Sequence, residues 1–253
     1  MPEKVLLDVE GIIISGQLYL PEGKAPHPVV CLCHGLPAHK PEPDANDYGQ
    51  TAEEICRAGF AAMIFNFRGT GASGGNLDML GWSSDLTAVI DYLDGRSDID
   101  RSRLSLLGFS SGAAVAIYVA AGDWRVSCVA ACACPTDFAM LTEADEPRLV
   151  VDHFRSIGTI RDTCFPASTQ QWLEGFRTVR PIDYVANIAP RPLLLVHGDS
   201  DETVDVNHVY RLYHRAGEPR ELVVIDSAGH RLRHDNRAMA AIINWLKTKC
   251  WDG

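Results

Sequence analysis

Short, unbroken apolar runs recur along this chain, and helical spacing follows most of them. Residues 29–33, 61–67, 104–109, 126–134, 193–196 and 222–225 are such runs. Segments 52–58, 86–93, 112–121, 204–214 and 238–247 carry the helical pattern. A strand with one wet face alternates apolar and polar residues. A strand that is apolar at every position is covered on both faces. The rhythm therefore predicts an α/β fold, a mostly parallel sheet with helices on both faces. Right-handed crossovers bring the C-terminal ends of parallel strands to one edge, where ligands of such sheets bind. Chemistry is to be sought in whatever follows each run.

Two stretches depart from the rhythm. Residues 5–9 and 12–20 are apolar runs split by Glu10-Gly11, which predicts an N-terminal antiparallel hairpin. Residues 137–184 hold no strand pattern but several helical pieces. An interval of that length predicts a small helical cap inserted after the fourth parallel strand.

The chain has 253 residues, 46% of them apolar and 22% charged, which suits one domain over 1–253 with a large core. The net charge of −10 repels phosphate backbones and anionic lipid, so no nucleic-acid or membrane partner is expected. No apolar run reaches the roughly 18 to 20 residues that span a bilayer. Met1-Pro2-Glu3-Lys4 does not open a basic-then-apolar leader, so a cytoplasmic setting is expected. The eight cysteines match no zinc spacing, and Cys31, Cys33, Cys132 and Cys134 sit inside apolar runs. They read as buried small hydrophobes, with no metal and no cofactor expected.

The run ending at Phe109 passes into Gly108-Phe109-Ser110-Ser111-Gly112 and then a helix. This is G-x-S-x-G between a strand and a helix, the context of a nucleophile elbow. Flanking glycines permit the tight turn, the serine is held strained and exposed, and the helix N-terminus favours developing negative charge. A serine hydroxyl needs a base, usually a histidine held by a carboxylate. The fifth run leads into His197-Gly198-Asp199-Ser200-Asp201-Glu202-Thr203-Val204, and the sixth into Asp226-Ser227-Ala228-Gly229-His230. The residues alone leave Asp199 and Asp201 both open as the acid, and Asp137 as a third candidate.

These motifs make the chain similar to the α/β-hydrolase superfamily over essentially its whole length. His197-Gly198-x-x-Asp201-x-x-Val204 resembles the superfamily's acid loop, and Ala228-Gly229-His230 its histidine loop. His34-Gly35-Leu36-Pro37 resembles the oxyanion loop, and Phe65-Asn66-Phe67-Arg68-Gly69-Thr70-Gly71 the glycine-rich loop after the next strand. The resemblance implies Ser110 as nucleophile, His230 as general base and Asp201 as triad acid. It implies an oxyanion hole from the backbone N–H groups of Leu36 and Ser111, each such donor being worth about 2.7–4 kcal/mol in the transition state.

The expected reaction is two-step transfer of an acyl group from a small-to-medium carboxylic ester to water. A peptidase or amidase is the alternative, with Glu143, Asp145 and Glu146 as conceivable anchors for a substrate amine. A non-catalytic ligand receptor is a further one, disfavoured because all three triad types are present. A homodimer is left open. His34 and His197 read as structural histidines bonding backbone, and His234 as a surface-turn residue. A metal site from His34, His39 and Asp44 fits no ligand spacing. The polar loop 37–47 either shapes the acyl pocket or is a solvated connection. Phe154, Phe165, Trp172 and Phe176 either face substrate or pack the cap onto the core.

Overall fold

The computed structural model describes residues 2–37, 39 and 47–251. The strands are β1 (Glu3–Val9), β2 (Ile12–Tyr19), β3 (His27–Cys33), β4 (Ala61–Phe65), β5 (Ile99–Phe109), β6 (Val126–Cys132), β7 (Leu193–Gly198) and β8 (Arg220–Ile225). They form one eight-stranded sheet in the order β1-β2-β4-β3-β5-β6-β7-β8. The β1/β2 and β2/β4 pairs are antiparallel, and every pair from β4 to β8 is parallel. The hairpin turns at Glu10-Gly11, both at positive φ.

The helices that flank the sheet are α1 (Asp47–Arg57), α2 (Met79–Asp94), α3 (Ser111–Gly122), α8 (Asn207–Arg215) and, after the last strand, α9 (Asn236–Trp251). The cap supplies α4 (Ala139–Thr142), α5 (Pro147–Ser156), α6 (Thr169–Thr178) and α7 (Pro181–Tyr184). The sheet divides two apolar cores. Val29, Cys31 and Cys33 of β3 face the core shared with α2, α3 and the cap, while Val30 and Leu32 face the core shared with α1 and α9. That is why the strand is apolar at successive positions: each face meets its own helix layer.

Two expectations need adjustment. Leu222, Val223 and Val224 of β8 are only half-buried, because β8 is an edge strand with β7 on one side alone. The helix expected over 86–93 begins earlier, at Met79, where Asp78 accepts the Leu80 N–H at 3.2 Å as an N-cap.

The cap is pinned to the core. Trp172 Nε1–H donates to Leu77 O at 2.7 Å, and Leu77 N–H donates to Thr159 O at 2.8 Å. Arg161 reaches Ser73 O (2.6 Å) and Gly71 O (3.0 Å), closing the cap against the glycine-rich loop. Phe154, Trp172 and Phe176 are buried in a chain of edge-to-face contacts, so they pack the cap. Phe165 is partly buried. The glycine-rich loop is held by Arg68, whose guanidinium clasps buried Asp85 at 2.8 and 2.9 Å. The Arg68 carbonyl accepts the Trp82 indole N–H at 3.0 Å.

Candidate active site

The sheet edge at the ends of β3, β5, β7 and β8 gathers the residues singled out above. Ser110 links β5 to α3 at φ 53°, ψ −125°. A non-glycine residue there stores about 1–3 kcal/mol of strain. Its N–H donates to Cys132 O at 2.8 Å, and its carbonyl accepts the Ala113 N–H at 2.9 Å, so the surroundings hold the strained turn. Two close approaches require glycine. A Cβ on Gly112 would stand 2.3 Å from both Cys33 O and His34 O, and one on Gly35 would stand 3.0 Å from Ser110 Cβ. The elbow and the loop after β3 are thus pressed together, with backbone where side chains would separate them.

His34 governs that loop. Its Nδ1–H donates to Gly35 O at 2.8 Å, and its Nε2 accepts the Phe67 N–H at 3.1 Å. The Gly35 C=O and the Leu36 N–H belong to one trans peptide and point opposite ways, so holding the carbonyl aims the Leu36 N–H away from the ring. Among the described residues, neither the Leu36 nor the Ser111 N–H donates to another backbone group. Burial pushes the His34 pKa down from 6.5 to about 4. A neutral ring suits both bonds, since a protonated Nε2 could not accept from Phe67.

The loops after β7 and β8 are joined by backbone. Asp199 N–H donates to Ile225 O at 3.2 Å, and Ser200 N–H to Ala228 O at 3.0 Å. Asp199 spends its carboxylate on the Ser227 N–H at 2.6 Å. Asp201 is buried, and its Oδ1 accepts the N–H groups of Thr203 (2.8 Å) and Val204 (2.9 Å). Its Oδ2 lies 2.8 Å from His230 Nδ1. Burial alone would raise the Asp201 pKa, but the His230 and backbone bonds outweigh it and hold the carboxyl below its ordinary value. With Nδ1–H committed to Asp201, the other ring nitrogen of His230 is the one left to accept a proton.

The structure therefore brings Asp201 and His230 into direct contact. Ser110 is not hydrogen-bonded to that ring: among the described residues, the imidazole's bond is the one to Asp201. Asp137 is drawn elsewhere, accepting from Ala139 N–H (3.1 Å) and the Thr136 hydroxyl (3.0 Å). Glu143, Asp145 and Glu146 are exposed on the cap, and His234 ends a short 3-10 turn on the surface.

Buried His197 was expected to bond backbone, and its Nε2 does lie 2.8 Å from Val204 O. What its motif does not reveal is that the same nitrogen lies 3.4 Å from Asp201 Oδ2. The described residues contain no cluster of three metal-ligating side chains. Asp44, and positions 38 and 40–46 of the polar loop, lie outside the described residues. No helix among the described residues is long and apolar enough to cross a membrane. An open groove of about 890 Å³ at the far end of α3 is lined by residues such as Tyr118, Trp124 and Asn187. Its lining holds no histidine or cysteine.

Comparison with known proteins agrees with this architecture. The Penicillium sp. sh18 α/β-hydrolase GrgF superposes with a TM-score of 0.79 at 18% identity, over 99% of both chains. Est1E of Butyrivibrio proteoclasticus, solved with bound ferulic acid, gives 0.73 at 20% identity over 96% of both. The uncharacterised protein YfhR of Escherichia coli (strain K12) is 28% identical over 172 residues, 68% of this chain and 53% of YfhR. The match thus spans about half the length of that relative. The sequence pattern of the prolyl oligopeptidase family matches residues 47–251. Its structural neighbours share the α/β-hydrolase fold, and on the family match the chain belongs to the prolyl oligopeptidase family.

Proposed function

We propose that the chain is a serine hydrolase that cleaves small-to-medium carboxylic esters through a Ser110 acyl-enzyme. The carrying observation is the 2.8 Å bond from His230 Nδ1 to buried Asp201, at the same sheet edge as a strained serine elbow. In this reading Asp201 fixes the tautomer of His230 and stabilises the imidazolium. His230 takes the Ser110 proton and returns it to the leaving alcohol. Water then attacks the acyl-enzyme by the same route. The Ser110–His230 bond closes as substrate arrives, since such bonds are often long in free enzymes. The oxyanion develops toward the Leu36 and Ser111 N–H groups, with the α3 N-terminus behind them. Fluorophosphonate labelling tests the reading directly: the protein is expected to be labelled at Ser110, and Ser110→Ala to stay folded and unlabelled. Labelling that persists in Ser110→Ala would remove the assignment.

The family match favours a second reading, hydrolysis of a peptide bond by the same residues. Parallel assays with p-nitrophenyl acyl esters and aminoacyl p-nitroanilides separate the two. Ester turnover is expected to dominate, and a higher kcat/KM on the anilides would reverse that choice.

A further inference from the structure

His197 is fully buried at the end of β7, and its ring proton lies on Nε2, facing Val204 O at 2.8 Å and Asp201 Oδ2 at 3.4 Å. Its other nitrogen, Nδ1, has no hydrogen-bond partner. A buried acceptor left unpaired costs about 1–3 kcal/mol, a cost that leucine at this position would avoid. A residue kept at such a cost invites a functional account.

The Val204 peptide is gripped from both sides. Asp201 Oδ1 holds its N–H and the His197 ring holds its C=O. We propose that His197 is a positioning residue for the acid–base pair, its Nε2–H holding the Val204 peptide that clamps Asp201 Oδ1 and lying 3.4 Å from the Oδ2 that faces His230. Without that N–H, the Val204 carbonyl is released and the clamp on Oδ1 loosens. Oδ2 also loses the N–H dipole that lies 3.4 Å away, which concentrates charge where it faces His230 and favours the imidazolium.

Burial keeps the ring neutral, in agreement with the single proton on Nε2. The other titratable groups whose charge reaches the ring are Asp201, His230 and His208 of α8, and Asp205 in the acid loop feels the ring in turn. All four side chains are retained in every variant at 197.

The inference rests on the triad reading above. The test compares wild type, His197→Leu and His197→Gln, the glutamine amide standing in for Nε2–H. In His197→Leu, kcat is expected to fall roughly tenfold with KM within about twofold, as for a small misplacement of a catalytic group. Its acid limb of kcat/KM should move about half a unit to higher pH. Glutamine should restore both. A merely structural role would lower Tm and leave kcat and the limb unchanged. Wild-type values in folded His197→Leu, or glutamine no better than leucine, overturn the proposal. If the leucine variant does not fold, His197→Asn replaces it, because its amide imitates Nδ1 instead. Parity of Asn with Gln then overturns the idea. A wild-type enzyme that no fluorophosphonate labels sinks the triad reading itself. A labelled wild type with an indifferent leucine variant sinks this inference alone.

Discussion

Asp199 and Asp201 stand two positions apart in one loop, and their environments give them different work. Asp199 zips the loops after β7 and β8 through the Ser227 N–H, whereas Asp201 turns inward to His230. Asp201→Asn is expected to lower kcat by up to about 10⁴, since the amide imposes the wrong tautomer on the base. Asp199→Asn keeps an acceptor for Ser227 and should leave kcat within a few-fold; steady-state kinetics on one p-nitrophenyl ester compares them. The register of the motif marked Asp201, but the residues alone did not, because what separates the two is a loop conformation built against another strand. The same holds for His34 and His197. Both are recognisable as histidines before a glycine, yet which atom each ring grips depends on Phe67 and Val204, distant or folded back in sequence.

At the scale of elements, the elbow is a packing problem among β3, β5 and α3. Gly112→Ala places a methyl against two backbone carbonyls of the β3 end, which cannot swing aside as a side chain can. It is expected to cost about 1–3 kcal/mol, measured by urea unfolding, and to lower kcat by displacing the Leu36 loop. In the cap, Trp172→Ala removes a buried indole and the bond to Leu77 O, with an expected loss of about 3–5 kcal/mol. Strand positions were legible because two-sided burial leaves an unmistakable apolar run. The start of α2 was less so, since Gly81 and Ser83-Ser84 blur the helical spacing that Asp78 nonetheless caps. The half-buried state of β8 follows from its place at the sheet edge, which its own residues do not encode.

For the whole molecule, acid is the expected weakness. The folded pKa of His34 is depressed to about 4, so between pH 6.5 and 4 the unfolded chain binds the proton that the folded chain refuses. The stabilisation is complete above pH 6.5 and lost as pH falls toward 4, amounting to about 3 kcal/mol. Buried His197 acts in the same direction, and Asp201, whose pKa is lowered, adds a loss below about pH 4. Urea midpoints at pH 7.5 and 4.5 should show the decline, and His34→Gln should flatten it. The fold class was readable because two helix layers demand a sheet apolar on both faces. The Arg68–Asp85 clasp was not, because nothing in either neighbourhood announces a partner 17 residues away. The cap carries the last consequence. Since Trp172 and Thr159 fasten it to Leu77 and Arg161 fastens it to the glycine-rich loop, it is expected to behave as a fixed roof and not a swinging door. On the ester-hydrolase reading, a variant that admits bulkier acyl chains is expected from carving side chains from the underside of that roof, and lengthening its connections is expected to widen nothing.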